Sequence, residues 1–529
     1  MEFKKESSTP PLFISLAKVI SGEIESSPET LAAYSNDGSP YSVLPQVIVY
    51  PKTVKDIKHC ISFARDYSIP LTPRGAGTAS TGGCLGEGII IDMTRYFNTI
   101  SHVDIQENTI TVDAGVSIED LQEKAALWGM EIPLFGNTGD TGTVGGAFAT
   151  RSITSSSFYY GSIREWVEGL TIVLDTGEQH TIRDGITPSG RLLGIYQTVF
   201  PFISSQKDYL RAAKRENSDD STGYNIWGTS IGPRQLLDQL AGSEGTLGII
   251  TSLTFRMVQK KQHSITTALP ITEVRLLTSC IEIAKHHGVE KIYLYDKTYA
   301  SLVNKFHHGL LPERNEESLY TLLVTHKGND LHKLQMTIST FLRAIPIKKE
   351  DIFHTEDVVT ATLESSDFLT KLFTVYTRGS QLLIKSCQGL IVPLAKYATA
   401  LHEIDIFLAT TGRLYVLTGN AGSGHISIIT LFSPEDYIDD SSLHEYISSI
   451  VNIIQKYSGG ISAYGGDGIT STPYLSKFYN ETVLDIFASV KTIWDPSALF
   501  NPGKKTSLST KYAKEHTVLH QPVSPLLWE

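Results

Sequence analysis

Glycine, more than any other residue type, limits what this chain can fold into. Between two strand-like runs, Ile69-Pro70-Leu71-Thr72 and Gly88-Ile89-Ile90-Ile91-Asp92-Met93, it reads Pro73-Arg74-Gly75-Ala76-Gly77-Thr78 and then Gly82-Gly83. Glycines this dense let the backbone turn with φ > 0 and line up N–H groups in a concavity suited to a pyrophosphate. Taken alone, the segment also reads as a plain turn between strands. Two further clusters stand at Gly136-Asn137-Thr138-Gly139-Asp140-Thr141-Gly142-Thr143-Val144-Gly145-Gly146-Ala147 and at Ala241-Gly242-Ser243-Glu244-Gly245-Thr246-Leu247-Gly248-Ile249-Ile250. Three such loops, each bordering apolar runs, can converge on one extended ligand.

The rest of the chain supplies the scaffold. With 529 residues it is too long for one hydrophobic core and should form two or three domains. A net charge of -11 offers no attraction for nucleic acid or an anionic membrane. Cys60, Cys84, Cys280 and Cys387 lie far apart, which argues against an iron–sulfur cluster, a zinc site or a disulfide framework, and for reduced cytosolic thiols. Met1–Glu6 has no signal-length apolar core behind it, and the run from Leu12 to Ile20 is broken by Ser15 and Lys18. No window reaches ~18 uninterrupted apolar residues. A cytoplasmic protein is expected, with peripheral contact at the inner membrane face left open.

Local patterns predict an α/β opening. Residues 1–39 read as a leader ending in the turn-rich Ser35-Asn36-Asp37-Gly38-Ser39-Pro40. Gln46–Tyr50 reads as a strand. Val54, Ile57, Ile61 and Ala64 place one apolar face on a helix from Thr53 to Ser68. Thr109–Gly115 alternates as a strand, and Ser117 starts a helix with Asp120 as its capping-box acid and Gly129 as its stop. Glu168–Leu174 and Gln179–Ile182 flank a hairpin turn at Asp175–Glu178. The polar stretch from Arg211 to Thr229 reads as a surface loop. After Arg256 the glycine loops cease, and strand-like and helical runs alternate to about residue 450. Val483, Ile486, Val490 and Ile493 form one last helical stripe, closed by Asp495-Pro496.

In this order the blocks PRGAGT…GG, TGTVGG, GSEGTLGII and Asn501-Pro502-Gly503-Lys504-Lys505 resemble the FAD-linked oxidase family. That family takes in vanillyl-alcohol-oxidase-type flavoproteins, D-lactate dehydrogenases and the glycolate oxidase catalytic subunit. The resemblance runs from about Pro45 to Lys505 and implies an α+β protein. A PCMH-type FAD-binding domain of two α/β subdomains would span 40–258, and an α+β cap domain with an antiparallel sheet 259–480. Residues 481–529 would return to the FAD domain. It further implies that Pro73, Arg74, Gly75, Ala76, Gly77, Thr78 and Gly82 approach the pyrophosphate. Thr141, Gly142, Thr143, Gly145 and Gly146 would line the second loop, and Ser243, Glu244, Gly245, Thr246 and Ile249 the third. Asn501 and Lys504 would close the site. None of the blocks carries a histidine where related branches attach flavin covalently, so non-covalent FAD is expected.

The substrate side departs from the family. Its 2-hydroxy acid dehydrogenases carry G-H-x-G-D-G-N-x-H and G-E-H-G-x-G segments, whose histidines and glutamate suit a divalent metal and a proton acceptor. Here the first reads Gly419-Asn420-Ala421-Gly422-Ser423-Gly424-His425-Ile426-Ser427, and the second Tyr464-Gly465-Gly466-Asp467-Gly468. The glycines are kept and the ligands are not. Three readings stay open: a metal-free dehydrogenase using Tyr464 or His425, a metal site rebuilt from His425 with Asp467 or from the pairs His286-His287 and His307-His308, and a non-catalytic flavin-binding subunit of a redox complex. Arg378 occupies the family position that anchors a substrate carboxylate, and Lys396 falls near a second basic position. The expected function is FAD-dependent oxidation of a small hydroxy acid, D-lactate or glycolate in type, with electrons passing to a quinone, cytochrome, partner protein or oxygen. A neutral alditol or lactone is the alternative substrate.

Overall fold

The computed structural model describes residues 10–135, 142–216, 219–227, 232–307, 311, 317–355, 362–363, 366–377, 382–432 and 440–517. Three sheets carry the α+β architecture, and a short two-stranded pair joins Met130–Glu131 to Val258–Gln259.

The first sheet holds Val47–Tyr50, Ile89–Asp92 and Leu71–Arg74 in parallel. All four residues of the first two strands are buried, as expected for a parallel sheet covered on both faces. The helix Val54–Tyr67 buries Ile57, Cys60, Ile61 and Ala64. A reciprocal capping box between Thr53 and Asp56 starts it, and Ser68 in the left-handed region (φ 52°) ends it. The predicted leader is an integral part of this unit. Glu23–Glu25 pairs antiparallel with Val47–Tyr50, and Ser21 donates from backbone and hydroxyl to the Asp56 carboxylate.

The second sheet is five-stranded and antiparallel, in the order Ile100–Asp104, Thr109–Asp113, Ile249–Arg256, Val167–Val173, Gln179–Arg183. Ser117 caps the helix Ile118–Ala126 by accepting from Asp120 N–H, while the Asp120 carboxylate takes the Ser117 hydroxyl rather than its backbone. Into the same core packs the late helix Glu481–Trp494, through Val483, Ile486, Phe487, Val490 and Trp494. Trp494 Nε1 donates to Gln239 Oε1 at 2.8 Å. The chain then reaches the first sheet, where Leu71 N–H donates to Leu499 O and Asn501 N–H to Leu71 O.

The third sheet has seven antiparallel strands, ordered Phe353–Thr355, His263–Ile271, Tyr320–Gly328, Lys291–Asp296, Tyr415–Gly419, His425–Phe432, Leu382–Ile391. One face is packed by the helices Val274–His286, Leu394–Thr410 and Asp440–Lys456, the other by Lys297–Phe306 and Ser366–Thr377.

One expectation fails outright. The stretch from Arg211 to Thr229 is not a surface loop: Lys207–Ala213 is helical, and Asp220, Ser221, Thr222 and Tyr224 are buried. Its polarity misleads because its backbone is satisfied from within. Lys505 Nζ donates to the carbonyls of Ser221 and Gly223, and the Asp467 carboxylate accepts Gly223 N–H. Among the described residues, no helix is long and apolar enough to cross a membrane.

Candidate flavin cleft

The three glycine loops meet along one cleft between the two smaller sheets and the seven-stranded domain. It holds about 1210 Å³ of empty space, part of it open to solvent. Two contacts show why glycine is required. A Cβ on Gly75 would stand 2.1 Å from Thr143 Oγ1, so the bare backbone of the first loop sits directly against a side chain of the second. A Cβ on Gly245, at φ +66°, would stand 2.3 Å from Pro73 Cγ, which brings the third loop against the first. Thr143 also caps the helix Val144–Thr150 by accepting from Gly146 N–H. Glycine-rich loops gathered at one wall suit the diphosphate of a dinucleotide, which backbone N–H groups can hold.

Of the residues singled out by sequence, Pro73, Arg74, Gly75, Ala76, Gly77, Thr78, Gly142, Thr143, Gly145, Gly146, Glu244, Gly245 and Tyr464 line this cleft. Thr141 and Arg378 lie outside the described residues. The others stand behind the wall. Ser243, Thr246 and Ile249 are buried, and Thr246 is held by the Tyr224 hydroxyl and by Lys491 Nζ, which donates to its carbonyl. Asn501 Nδ2 donates to Gly83 O and Glu244 O, both at 2.8 Å, and so stitches the first loop to the third. Lys504 Nζ donates to Asn501 Oδ1 at 2.7 Å and to Leu85 O, and burial pulls its pKa down to about 8.

Arg74 lines the cleft with its backbone end only in part, because its guanidinium turns away. Nη1 donates to Tyr34 O and Nη2 to Asn36 O, each at 3.0 Å, with the group 4.9 Å from the centre of the Tyr34 ring. Gly82 points the same way, its N–H donating to Asp37 Oδ2 at 2.8 Å.

His425 is corrected as a proton acceptor. Its Nε2–H donates to Gln388 O at 2.6 Å, and its Nδ1 accepts Asn420 N–H at 3.1 Å. Both nitrogens are committed, the ring is buried, and desolvation pulls its pKa down to about 4. The histidine holds the turn at Asn420–Gly424 and has no nitrogen left for a substrate. Asp467 is committed too. Lys505 Nζ, wholly buried, lies 2.9 Å from Glu244 Oε1 and 2.8 Å from Asp467 Oδ2. Burial works against the ammonium charge, but Asp467 and Glu244 outweigh it and raise the Lys505 pKa. Glu244 in turn accepts Asp467 and Gly468 N–H. A rebuilt metal centre at His425 with Asp467 has no free donors. His286 is exposed, His287 Nδ1 donates to Ile283 O, His307 leans on Phe368, and His308 lies outside the described residues. Among the described residues no group of three or more His, Cys, Asp or Glu is gathered to hold a metal. Lys396 donates to Ser458 Oγ at an exposed site away from the cleft.

Tyr464 lines the cleft, its ring centre 6.3 Å from that of His425. It reaches the cleft from the seven-stranded domain on a loop pinned at every other residue: Ile153 N–H donates to Ala463 O, Gly465 N–H to Ser152 Oγ, and Thr81 Oγ1 to Gly465 O. Three wall residues next to it, Ser152, Ile153 and Thr154, carry no motif and were missed by sequence. The signal for them was faint, namely their place just beyond the helix opened by the second glycine loop. Cys84, also on the wall, has its thiol pushed up to about 11 by burial.

Comparison with known proteins agrees with this geometry. The family model described as FAD binding domain matches residues 45–183, and the one described as FAD linked oxidases, C-terminal domain, matches 261–505. The chain is similar to D-2-hydroxyglutarate dehydrogenase of Escherichia coli (strain K12), 23% identical over 512 residues, covering 89% of this chain and 49% of that protein. It thus spans about half the length of that relative. It is also similar to D-lactate dehydrogenase of Anaerostipes hadrus, 24% identical over 486 residues, covering 87% and 89%. The fold matches 4-ethylphenol oxidase from Gulosibacter chungangensis in its isoeugenol complex, with a TM-score of 0.68, 13% identity, and coverage of 94% and 97%.

Proposed function

The chain belongs to the FAD-linked oxidase family with FAD as its cofactor, and on that premise we propose that it oxidises the CH–OH carbon of a small 2-hydroxy acid. The observation that carries the reading is Tyr464, a phenol set in the cleft wall on a loop fixed from both sides. FAD supplies acceptance of the hydride that leaves the hydroxyl-bearing carbon. The protein has to orient that carbon and deal with the hydroxyl proton. Tyr464 relays this proton, accepting it on the phenol oxygen while passing its own hydroxyl proton to water in the solvent-open cleft, a role that in the family's metal-dependent members falls to histidines. Arg378 is the proposed anchor of the carboxylate, its planar fork matching two oxygens. Support for an acid substrate comes from the relatives named as D-lactate and D-2-hydroxyglutarate dehydrogenases. The electron acceptor is a quinone, a cytochrome, a partner protein or oxygen.

Anaerobic absorbance spectroscopy tests this. D-lactate, glycolate or D-2-hydroxyglutarate should bleach the flavin band. Tyr464→Phe should slow bleaching by about a hundredfold or more, the usual worth of a positioned proton-transfer group. Arg378→Ala should raise the acid concentration needed. Reduction by neutral polyols and not by acids would shift the substrate to an alditol or lactone. A flavin spectrum that no hydroxy acid or alcohol changes would leave a flavin-binding subunit without this activity.

A further inference from the structure

The first glycine loop is gripped from behind by the turn-rich segment that the sequence reads as the end of a leader. Three contacts make the grip. The Arg74 guanidinium, nine-tenths buried, donates to Tyr34 O and Asn36 O. Asp37 Oδ2 accepts Gly82 N–H, and the Ser80 hydroxyl donates to Asp37 O at 3.3 Å. The loop is moulded round the guanidinium: a Cβ on Gly77, at φ +72°, would stand 2.6 Å from Arg74 Nη2. The turn that grips is itself built. Asn36 Nδ2 donates to Ser39 O and Tyr41 O, Gly38 N–H donates to Asn36 Oδ1, and Tyr34 OH donates to Asp92 Oδ2 at 2.6 Å.

We propose that the turn Tyr34–Gly38 sets the shape of the pyrophosphate loop through Arg74 and Asp37, which act as positioning residues for FAD. The physical need follows from the loop's composition. Residues Gly75, Gly77, Gly82 and Gly83 have more backbone freedom than any others, and a ligand that had to order them itself would bind more weakly. Arg74 and Asp37 order the loop beforehand from the side opposite the ligand. The Arg74 charge is met within the protein, by two carbonyls and the Tyr34 ring, so the diphosphate is left to the backbone N–H groups. The proposal rests on the loop at 75–83 holding the pyrophosphate.

The test is FAD binding to the full-length apoprotein, followed by flavin fluorescence, with phosphorus NMR of the bound cofactor. Arg74→Met and Asp37→Asn should each raise the FAD Kd by about tenfold or more and move the pyrophosphate resonances. Arg74→Lys, which keeps the charge but not the fork, should recover only part of the affinity. Tyr320→Phe, which removes a buried hydrogen bond to Asp405 in the other domain, controls for general loss of stability and should leave the resonances in place. Should Arg74→Met fail to fold, Asp37→Asn carries the same prediction. Unchanged affinity and resonances in Asp37→Asn, with full affinity in Arg74→Lys, would overturn the proposal in favour of direct contact between the Arg74 charge and phosphate. Wild-type protein that takes up no FAD would overturn the loop reading and this proposal together.

Discussion

Replacing Lys505 by Met isolates a buried cation shared by two buried carboxylates. The ammonium is fully buried and meets four acceptors: Glu244 Oε1 at 2.9 Å, Asp467 Oδ2 at 2.8 Å, Ser221 O at 2.9 Å and Gly223 O at 3.1 Å. Methionine fills nearly the same volume, so little of the effect comes from packing. What changes is that two buried carboxylates lose their shared cation. Removing one partner of a buried pair costs about 3–5 kcal/mol. Each carboxylate keeps other donors here, Glu244 the N–H groups of Asp467 and Gly468, Asp467 that of Gly223, which holds the loss near the lower end. Two carbonyls left without a donor add about 1 kcal/mol each. The expected loss is about 4–6 kcal/mol, a large part of the roughly 5–15 kcal/mol available to a folded protein. Thermal and urea unfolding of the FAD-loaded protein measure it. The pH dependence identifies the cause. Burial already raises the Glu244 pKa with Lys505 beside it, and loss of the ammonium raises it further, so the folded variant binds a proton more readily and the deficit shrinks as pH falls. A loss below about 1 kcal/mol, or a deficit that does not shrink on acidification, would refute this account of the cluster.

Other outcomes follow from the same contacts. His425 and His326 both have pKa values pulled down to about 4 by burial, against about 6.5 unfolded, so the unfolded chain binds more protons between those limits. Stability is therefore complete above pH 6.5 and falls towards pH 4, by about 3 kcal/mol per histidine at most, and His425→Gln should flatten part of that slope in acid-unfolding curves. Gly75→Ala forces a Cβ against Thr143 Oγ1 and should weaken FAD uptake at least tenfold in a fluorescence titration while the far-ultraviolet circular dichroism stays native. Trp494→Ala empties a fully buried site and orphans Gln239 Oε1, so it should lower unfolding free energy by about 3–5 kcal/mol.

How much of this was legible in the sequence depended on how far each residue's partners lie along the chain. The glycine loops were readable because the demand is local: a turn tight enough for backbone contact writes itself as Gly75, Gly77 and Gly245 wherever the other loop stands. Helix starts were readable for the same reason, Thr53 and Ser117 each capping a backbone N–H three residues on. Most of the failures involve partners far away along the chain. Asp220–Tyr224 reads as polar surface, and only Lys505 and Asp467, which arrive from the far end of the chain, make it an interior strap. His425 reads as a proton acceptor or as a ligand of a rebuilt metal site because its place near the family histidines is visible, whereas the backbone groups that occupy its two nitrogens, at Asn420 nearby and at Gln388 on another strand, are not. The segment from Ser35 to Pro40 reads only as the turn-rich end of a leader because turn residues do not say what they turn against. It faces the underside of the loop it was thought merely to precede, where Asp37 and Gly82 meet. A polar residue without a local partner is therefore the position at which sequence says least about role. In this chain those residues, Arg74, Glu244 and Lys505, are among the ones that hold the cleft in shape.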